Sequence, residues 1–362
     1  MSLYDIVCVV TNEISYDRRM IRICTTLSTS GKNVLMIGRE VAHKVYNDDF
    51  PFDTYRVRCD KQDGPGFYRE VLQRFNRFLK KTTYKDLLLT DYDTILLARL
   101  QRSKARRIYL DLHEYFEHTP ELEGKPLKKS IWKMAAQIGQ AKCDVIYTVN
   151  NSLANLYAKR FGRDIEVIRN VPSKKTTAAQ VPKRLEVPLI RTVYLGVLNP
   201  GRGLKELITA IELSADIHLT IIGDGPLRES LEALVNDPLK VTFLGMVPPD
   251  EIAGLLGDKD LGWNLLYSHS KSYYYSLANK FFDYVHHDVP VVTMDFPEYR
   301  DLLAKYPCGT TLPEFSVQSI SDVLEMVRVD SEHLRKWKQA CPLLAEEYNW
   351  EHESKKLLAL FG

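Results

Sequence analysis

Short aliphatic and β-branched runs alternate with stretches of helical period along nearly the whole chain. Residues 6–10 form the first run, residues 11–16 a polar loop, and Met20, Ile23 and Leu27 then recur at helical spacing until Gly31. Residues 33–38, around Val-Leu-Met-Ile, make the next strand. Further strands are predicted at residues 94–98, 107–112 and 145–149, with helices between them. Strands separated by helices predict a parallel sheet.

The pattern breaks after Asn170, where residues 171–187 carry two prolines, Pro172 and Pro182, and no hydrophobic period. A second series then begins with a strand at 192–195 ending in Gly196. It continues as helix 204–211, strand 218–222, the turn Gly223-Asp224-Gly225-Pro226, helix 227–235, strand 241–244, helix 251–256 and strand 262–267. Leu277, Phe281, Tyr284 and Val285 mark one more helix, which leads into a strand at 289–293. Residues 335–361 read as helical and carry Trp337, Tyr348, Trp350, Leu357, Leu358 and Phe361, so this tail must pack on something. The expected organisation is an N-terminal Rossmann-like α/β domain at 1–170, a linker at 171–187 and a second Rossmann-like domain at 188–340. A C-terminal helix at 341–362 is expected to return toward the first domain. At 362 residues and 45% hydrophobic content, two cores are the default.

Chemistry concentrates on the helix before the last strand. Ser276, Lys280 and Asp283 are four and three residues apart and stack on one helical face, near an N-terminus that favours phosphate. A cation and a carboxylate together suit a diphosphate and a ribose; the same pair also fits an exposed ion pair on a surface helix. In the first half, His113 and Glu114 follow a predicted strand at its carboxyl end, where open α/β sheets meet their ligands.

Net charge of +2 points to no nucleic-acid partner, and the six scattered cysteines suggest reduced thiols rather than disulfides or a zinc site. Reduced thiols suit a cytoplasmic protein, and no apolar run approaches the roughly 20 residues of a membrane span, so no membrane crossing is expected. Residues 67–85, however, project Phe67, Val71, Leu72, Phe75, Phe78 and Leu79 on one helical side and Arg69, Arg74, Arg77, Lys80 and Lys81 on the other. Such a basic amphipathic helix suits either an anionic membrane surface or an ordinary solvated face. Lys125, Lys128, Lys129 and Lys133 around Trp132 extend the basic character.

The order of motifs resembles a GT-B glycosyltransferase, most similar to the large retaining family usually called family 4, or glycosyl transferases group 1. The matching pieces are Asp17-Arg18-Arg19, Asp111-Leu-His113-Glu114, Val167-Ile-Arg-Asn170-Val-Pro172, Tyr194-Leu-Gly196 with Arg202-Gly203, and Gly223-Asp224-Gly225-Pro226. Val241 to Gly245, Lys280-Phe-Phe-Asp283-Tyr with Pro290-Val-Val, and Tyr348-Asn-Trp350 complete them. The resemblance implies two Rossmann-like domains facing a cleft, with the nucleotide sugar on the C-terminal one and the acceptor on the N-terminal one. It places Asp283 on the ribose, Lys280 and Arg202 on the diphosphate, Gly245 and Met246 beside the base, and His113 against the transferred sugar. Gly196, Ser276, Asn279 and Tyr275 fall on its donor side, and Glu114, Asp17 and Arg18 on its acceptor side.

Three departures stand out. Tyr275 occupies the position of the family's glutamate, eight residues before Asp283; Val197 replaces an arginine, and Arg202 a lysine. The Asn279-Lys280-x-x-Asp283-Tyr284 arrangement is similar to that of a subset of the family.

By this resemblance the reaction moves a hexose or other sugar from a UDP- or GDP-linked donor to a hydroxyl of a glycan or lipid-linked acceptor, with retention and with neither metal nor cofactor. Cell-surface polysaccharide assembly at the inner face of the membrane is the implied setting. The alternatives are an inactive GT-B scaffold subunit and another GT-B enzyme such as a nucleotide-sugar epimerase, for which the sequence shows no carboxylate-rich cluster.

Overall fold

A computed structural model describes residues 3–41, 49–61, 63–174 and 189–362, and only the backbone of Tyr16, Pro249 and Asp250. Of the predicted linker, residues 175–187 lie outside the described residues. The chain divides into two compact units, Met1–Asn170 with Glu353–Gly362, and Val171–His352.

Unit 1 runs β1 (Tyr4–Val9), α1 (Arg18–Thr29), β2 (Val34–Arg39), β3 (Asp53–Val57), α2 (Gly64–Lys81), β4 (Tyr84–Thr90), α3 (Asp91–Thr94) and α4 (Leu96–Gln101). It continues with β5 (Ile108–Leu112), α5 (Pro126–Gln140), β6 (Val145–Thr148), α6 (Asn151–Phe161) and β7 (Glu166–Val167). Its seven strands are parallel, in the order β3-β2-β1-β4-β5-β6-β7. The central strands are apolar on both faces because helices cover both; β5 is buried throughout. Asp17 caps α1 by accepting from the Met20 amide at 3.0 Å, which satisfies one of the amides a helix start leaves open.

The segment predicted as a strand at 94–98 is helical. Leu87 to Leu89 of β4 fill that place in the sheet, between Val7 to Val9 of β1 and Ile108 to Leu110 of β5. Just beyond, the Thr94 hydroxyl accepts from the Thr90 amide at 2.9 Å and donates to the Thr90 carbonyl at 2.6 Å, closing a turn at once. Ile95, Leu97 and Ala98 are then buried on a helix. A short apolar run cannot be told as strand or helix by period alone.

Unit 2 runs β8 (Ile190–Leu195), α7 (Leu204–Leu213), β9 (Ile217–Ile222), α8 (Arg228–Glu232), β10 (Val241–Gly245), α9 (Pro249–Leu256) and β11 (Leu261–Asn264). Then follow α10 (Lys271–Tyr274), α11 (Asn279–Val285), β12 (Val291–Met294), α12 (Pro297–Lys305), β13 (Gly309–Leu312), α13 (Val317–Val329), α14 (Glu332–Glu347) and α15 (Trp350–Leu360). Its six parallel strands are ordered β10-β9-β8-β11-β12-β13. Both sheets reverse direction of winding once, at β1/β4 and at β8/β11, and such switch points are where doubly wound sheets open a crevice at the strands' carboxyl ends.

The tail is two helices, α14 and α15, and α15 from Glu353 onward belongs to unit 1. There Phe361 stacks on Tyr109 with ring centroids 4.0 Å apart, and Glu353, 2% exposed, accepts from the Arg169 amide at 2.9 Å.

Candidate active site

In unit 2 the switch point is held together by one side chain. The Tyr284 hydroxyl accepts from the Leu195 amide of β8 at 2.7 Å and donates to the Trp263 carbonyl of β11 at 3.2 Å. Gly262 leaves room for it, since a Cβ there would come within 2.6 Å of the Tyr284 ring. The Ala278 amide, at the start of α11, donates to the Tyr299 hydroxyl at 2.9 Å. Helix α11 is therefore pinned at both ends with its N-terminus at the end of β8.

That placement brings Lys280 to Gly196. The Lys280 Nζ lies 3.8 Å from the centre of the Tyr194 ring and would be 3.1 Å from a Cβ at Gly196, which adopts φ +137°. Burial pushes the Lys280 ammonium well below its ordinary pKa, and Arg202 adds repulsion that Asp283 only partly offsets. Arg202 is itself stacked over Tyr273 at 5.1 Å. Two cations held near one another, one of them reluctant to stay charged, form a site that an anion would stabilise.

The Gly223-Asp-Gly-Pro226 turn closes the other side. Gly223 donates its amide to the Gly245 carbonyl at 2.8 Å, and the Leu198 amide donates to the Asp224 carbonyl at 2.9 Å. At φ +137° a Cβ on Gly223 would stand 2.0 Å from the Gly196 carbonyl oxygen. Gly223→Ala should therefore force the two loops apart, costing about 2 kcal/mol or more in urea unfolding and weakening anion binding beside Lys280. An unchanged unfolding midpoint would show that the loops are not in this close contact.

Not every predicted donor-side residue joins this group. Asn279 is exposed at the first turn of α11, Met246 is 70% exposed, and Gly245 sits at φ +71° next to the Arg228 guanidinium. Ser276 is not on the helical face with Lys280 and Asp283. Helix α11 starts only at Asn279, and the Ser276 hydroxyl donates to the Tyr273 carbonyl at 2.8 Å in the preceding loop. Tyr275 ends α10 and packs edge-on against Tyr274, while Val197 is 52% exposed.

In unit 1, His113 leaves β5 between two carboxylates. Its Nδ1 is 3.2 Å from Asp91 and its Nε2 3.1 Å from Asp111, and its backbone amide donates to Asp91 at 2.8 Å. Asp111, fully buried, is gripped by Arg19 through two bonds of 2.8 and 2.9 Å. Burial alone would lift the Asp111 pKa, but Arg19 and then His113 outweigh it and lower the value to about 2.

Burial likewise opposes a charge on His113. Asp91 and then Asp111 overcome it and raise the imidazole to about 9. Asp91, in a left-handed conformation at φ 55°, is raised by burial to about 7 against the pull of His113, with Asp93 nearby adding repulsion. The Thr11 hydroxyl donates to Asp93. At neutral pH His113 is thus an imidazolium, a fixed positive charge with both nitrogens turned toward carboxylates.

Of the predicted acceptor-side residues, Asp17 is the cap of α1, while Arg18 and Glu114 are exposed. The Glu114 carbonyl accepts from the Tyr157 hydroxyl. The sequence reading passed over Asp91, named Arg19 only within the Asp17-Arg18-Arg19 motif and gave it no role, and found no carboxylate-rich cluster. The structure corrects this, since Asp91, Asp93 and Asp111 gather around His113. Asp91 was findable as the acid straight after a strand, had that strand been placed at Leu87 to Leu89.

Residues 190–327 match the family model described as glycosyl transferases group 1. The chain aligns over 100% of its length, and 98% of the other chain, with the sucrose-phosphate synthase from Thermosynechococcus elongatus at TM-score 0.79 and 13% identity. The chain has the fold of the GT-B glycosyltransferases.

HepE from Anabaena, solved in complex with UDP and glucose, aligns over 99% of both chains at TM-score 0.75 and 12% identity. WaaG, a glycosyltransferase involved in lipopolysaccharide biosynthesis, aligns over 98% of this GT-B chain and 99% of its own, at TM-score 0.73 and 14% identity. No curated protein matches in sequence. Family match and GT-B fold together support glycosyl transfer, and the matched segment contains Gly196, Arg202, Lys280 and Asp283.

Proposed function

We propose that this GT-B protein is a retaining, metal-independent glycosyltransferase of family 4 type. The observation that carries the reading is the Lys280 ammonium, held over Tyr194 against Gly196, with Arg202 near and Asp283 one turn along α11. Unit 2 holds the nucleotide sugar, a reading supported by the complex of the similarly folded HepE with UDP and glucose. Lys280 and Arg202 neutralise the diphosphate as it leaves, and Asp283 accepts hydrogen bonds from the ribose hydroxyls.

Among unit 1 residues, His113 faces the transferred sugar. As an imidazolium whose two N–H groups face Asp91 and Asp111 it places a positive charge there and offers no base, so the acceptor's proton goes to the departing phosphate oxygen. The acceptor is a hydroxyl of a glycan or lipid-linked glycan in cell-surface polysaccharide assembly, reached at the cytoplasmic face of a membrane. Among the described residues no helix is long and apolar enough to cross one.

The test is a panel of UDP-, GDP- and other nucleotide sugars, read by thermal stabilisation and by slow release of free sugar. One nucleotide should raise the unfolding midpoint, and Asp283→Ala should weaken that effect at least tenfold, as expected for loss of a carboxylate that accepts two hydroxyl hydrogen bonds. No stabilisation by any nucleotide would favour the scaffold. The three carboxylates around His113 favour the epimerase as second reading, which predicts an epimerised donor in place of free sugar.

A further inference from the structure

Helix α5 is apolar on two faces. Toward unit 1 it buries Ala135, Ala136 and Gly139 and sets Trp132 edge-on against Tyr68 of α2 and against Phe116. Leu127, Ile131 and Met134 follow steps of four and three residues, which stacks them in a narrow arc away from that side. They are 75%, 54% and 61% exposed. Half-buried Ile138 continues the same arc.

Three large apolar side chains in one stripe are not the scattered exposure a soluble surface normally carries. On the helical projection exposed Lys128 flanks the stripe and exposed Lys125 stands at its start, while Lys133 turns to buried Glu117, 3.8 Å away. Exposed Arg69 follows Tyr68 on the neighbouring helix.

Helix α2, the basic amphipathic segment for which the sequence offered a lipid surface or an ordinary solvated face, is built the other way. It turns Phe67, Val71, Phe75 and Leu79 into the core, and beyond its first turn leaves Arg69, Gln73, Arg77, Lys80 and Lys81 exposed.

We infer that the Leu127–Ile131–Met134 face of α5 docks on an anionic lipid surface. The stripe enters the boundary between headgroups and acyl chains, and the lysines meet the lipid phosphates. Charge selects this occupant over a second copy of the chain. A two-fold contact through the stripe would bring the flanking lysines of the two helices together, whereas an acidic bilayer complements them.

The test is flotation of the full chain with phosphatidylcholine vesicles, with and without a quarter phosphatidylglycerol, at low salt. Binding to the anionic vesicles alone is expected. It should fall at least about tenfold in a Leu127→Ser, Ile131→Ser, Met134→Ser triple variant and weaken in Lys125→Gln with Lys128→Gln. An unchanged circular-dichroism melting curve verifies that the triple variant is folded. No flotation of the wild type, equal flotation of the triple variant, or a wild-type dimer that the triple variant dissolves would each overturn the proposal. Since no nucleotide enters the assay, its failure leaves the donor site untouched.

Discussion

Lys280→Ala should lower kcat by about 10²–10³-fold while the unfolding midpoint holds or rises. Removing one preorganised cation or donor from a developing charge costs about 3–4 kcal/mol of transition-state stabilisation. The folded state gains nothing from Lys280 when the site is empty, because burial and Arg202 both disfavour its charge. The sign of the linkage follows. A base with a depressed folded pKa costs stability when protonated, and that cost disappears as pH rises through the gap between its folded and unfolded values. A diphosphate reverses the balance and raises the Lys280 pKa, so nucleotide binding should take up protons where the pH lies between its free and bound values. Calorimetry in two buffers of different ionisation enthalpy measures that uptake, which should vanish in Lys280→Ala. Wild-type turnover by the variant would remove Lys280 from the reaction.

The second large effect is expected in unit 1. Asp111→Ala should destabilise the fold by about 3–5 kcal/mol, because Arg19, only 4% exposed, would be left as a buried charge without its partner. Chemical denaturation measures this. A loss under about 1 kcal/mol would mean that water reaches Arg19. The same cluster sets a pH profile. Asp111, lowered to about 2, contributes stability that is present above its unfolded pKa and lost as pH falls from about 4 to about 2, worth about 2 kcal/mol. His113, raised to about 9, contributes stability present below about 6.5 and lost as pH climbs through about 9, worth about 3 kcal/mol. The melting temperature should therefore fall between neutral pH and about 9, and His113→Gln should flatten that slope. A wild-type profile level across this range would mean that His113 is not charged in the folded protein.

Most strands of unit 2 were legible because they are short, largely buried aliphatic runs bounded by Gly, Pro or Asp, as at Thr192 to Leu195 and Val291 to Thr293, whereas the half-buried β13, Gly-Thr-Thr-Leu, carries no such run and was not predicted. Lys280 and Asp283 stood out because one helical turn separates them. Ser276 misled for the same reason. Period extends the helix back to it, yet the amide of Ala278 is taken by Tyr299, from α12, and the helix begins at Asn279.

Amphipathicity left two readings open at residues 67–85. The pattern correctly marked a two-faced helix, but which face meets solvent depends on the sheet it packs against. The exposed apolar stripe lies on α5, where the lysines had been noticed and the leucine, isoleucine and methionine had not.

The sequence by itself determined the alternation of strands and helices, hence two parallel sheets, and the residue types at the end of β8 and the start of α11. Local period and turn chemistry encode these within a few residues. Only the tertiary structure decided what surrounds His113. Asp91, 22 positions away in the chain, and Arg19, 92 positions from Asp111, arrive there because β1, β4 and β5 lie side by side. Charges brought together by sheet order leave no local pattern, and their burial then determines which of them keep a proton.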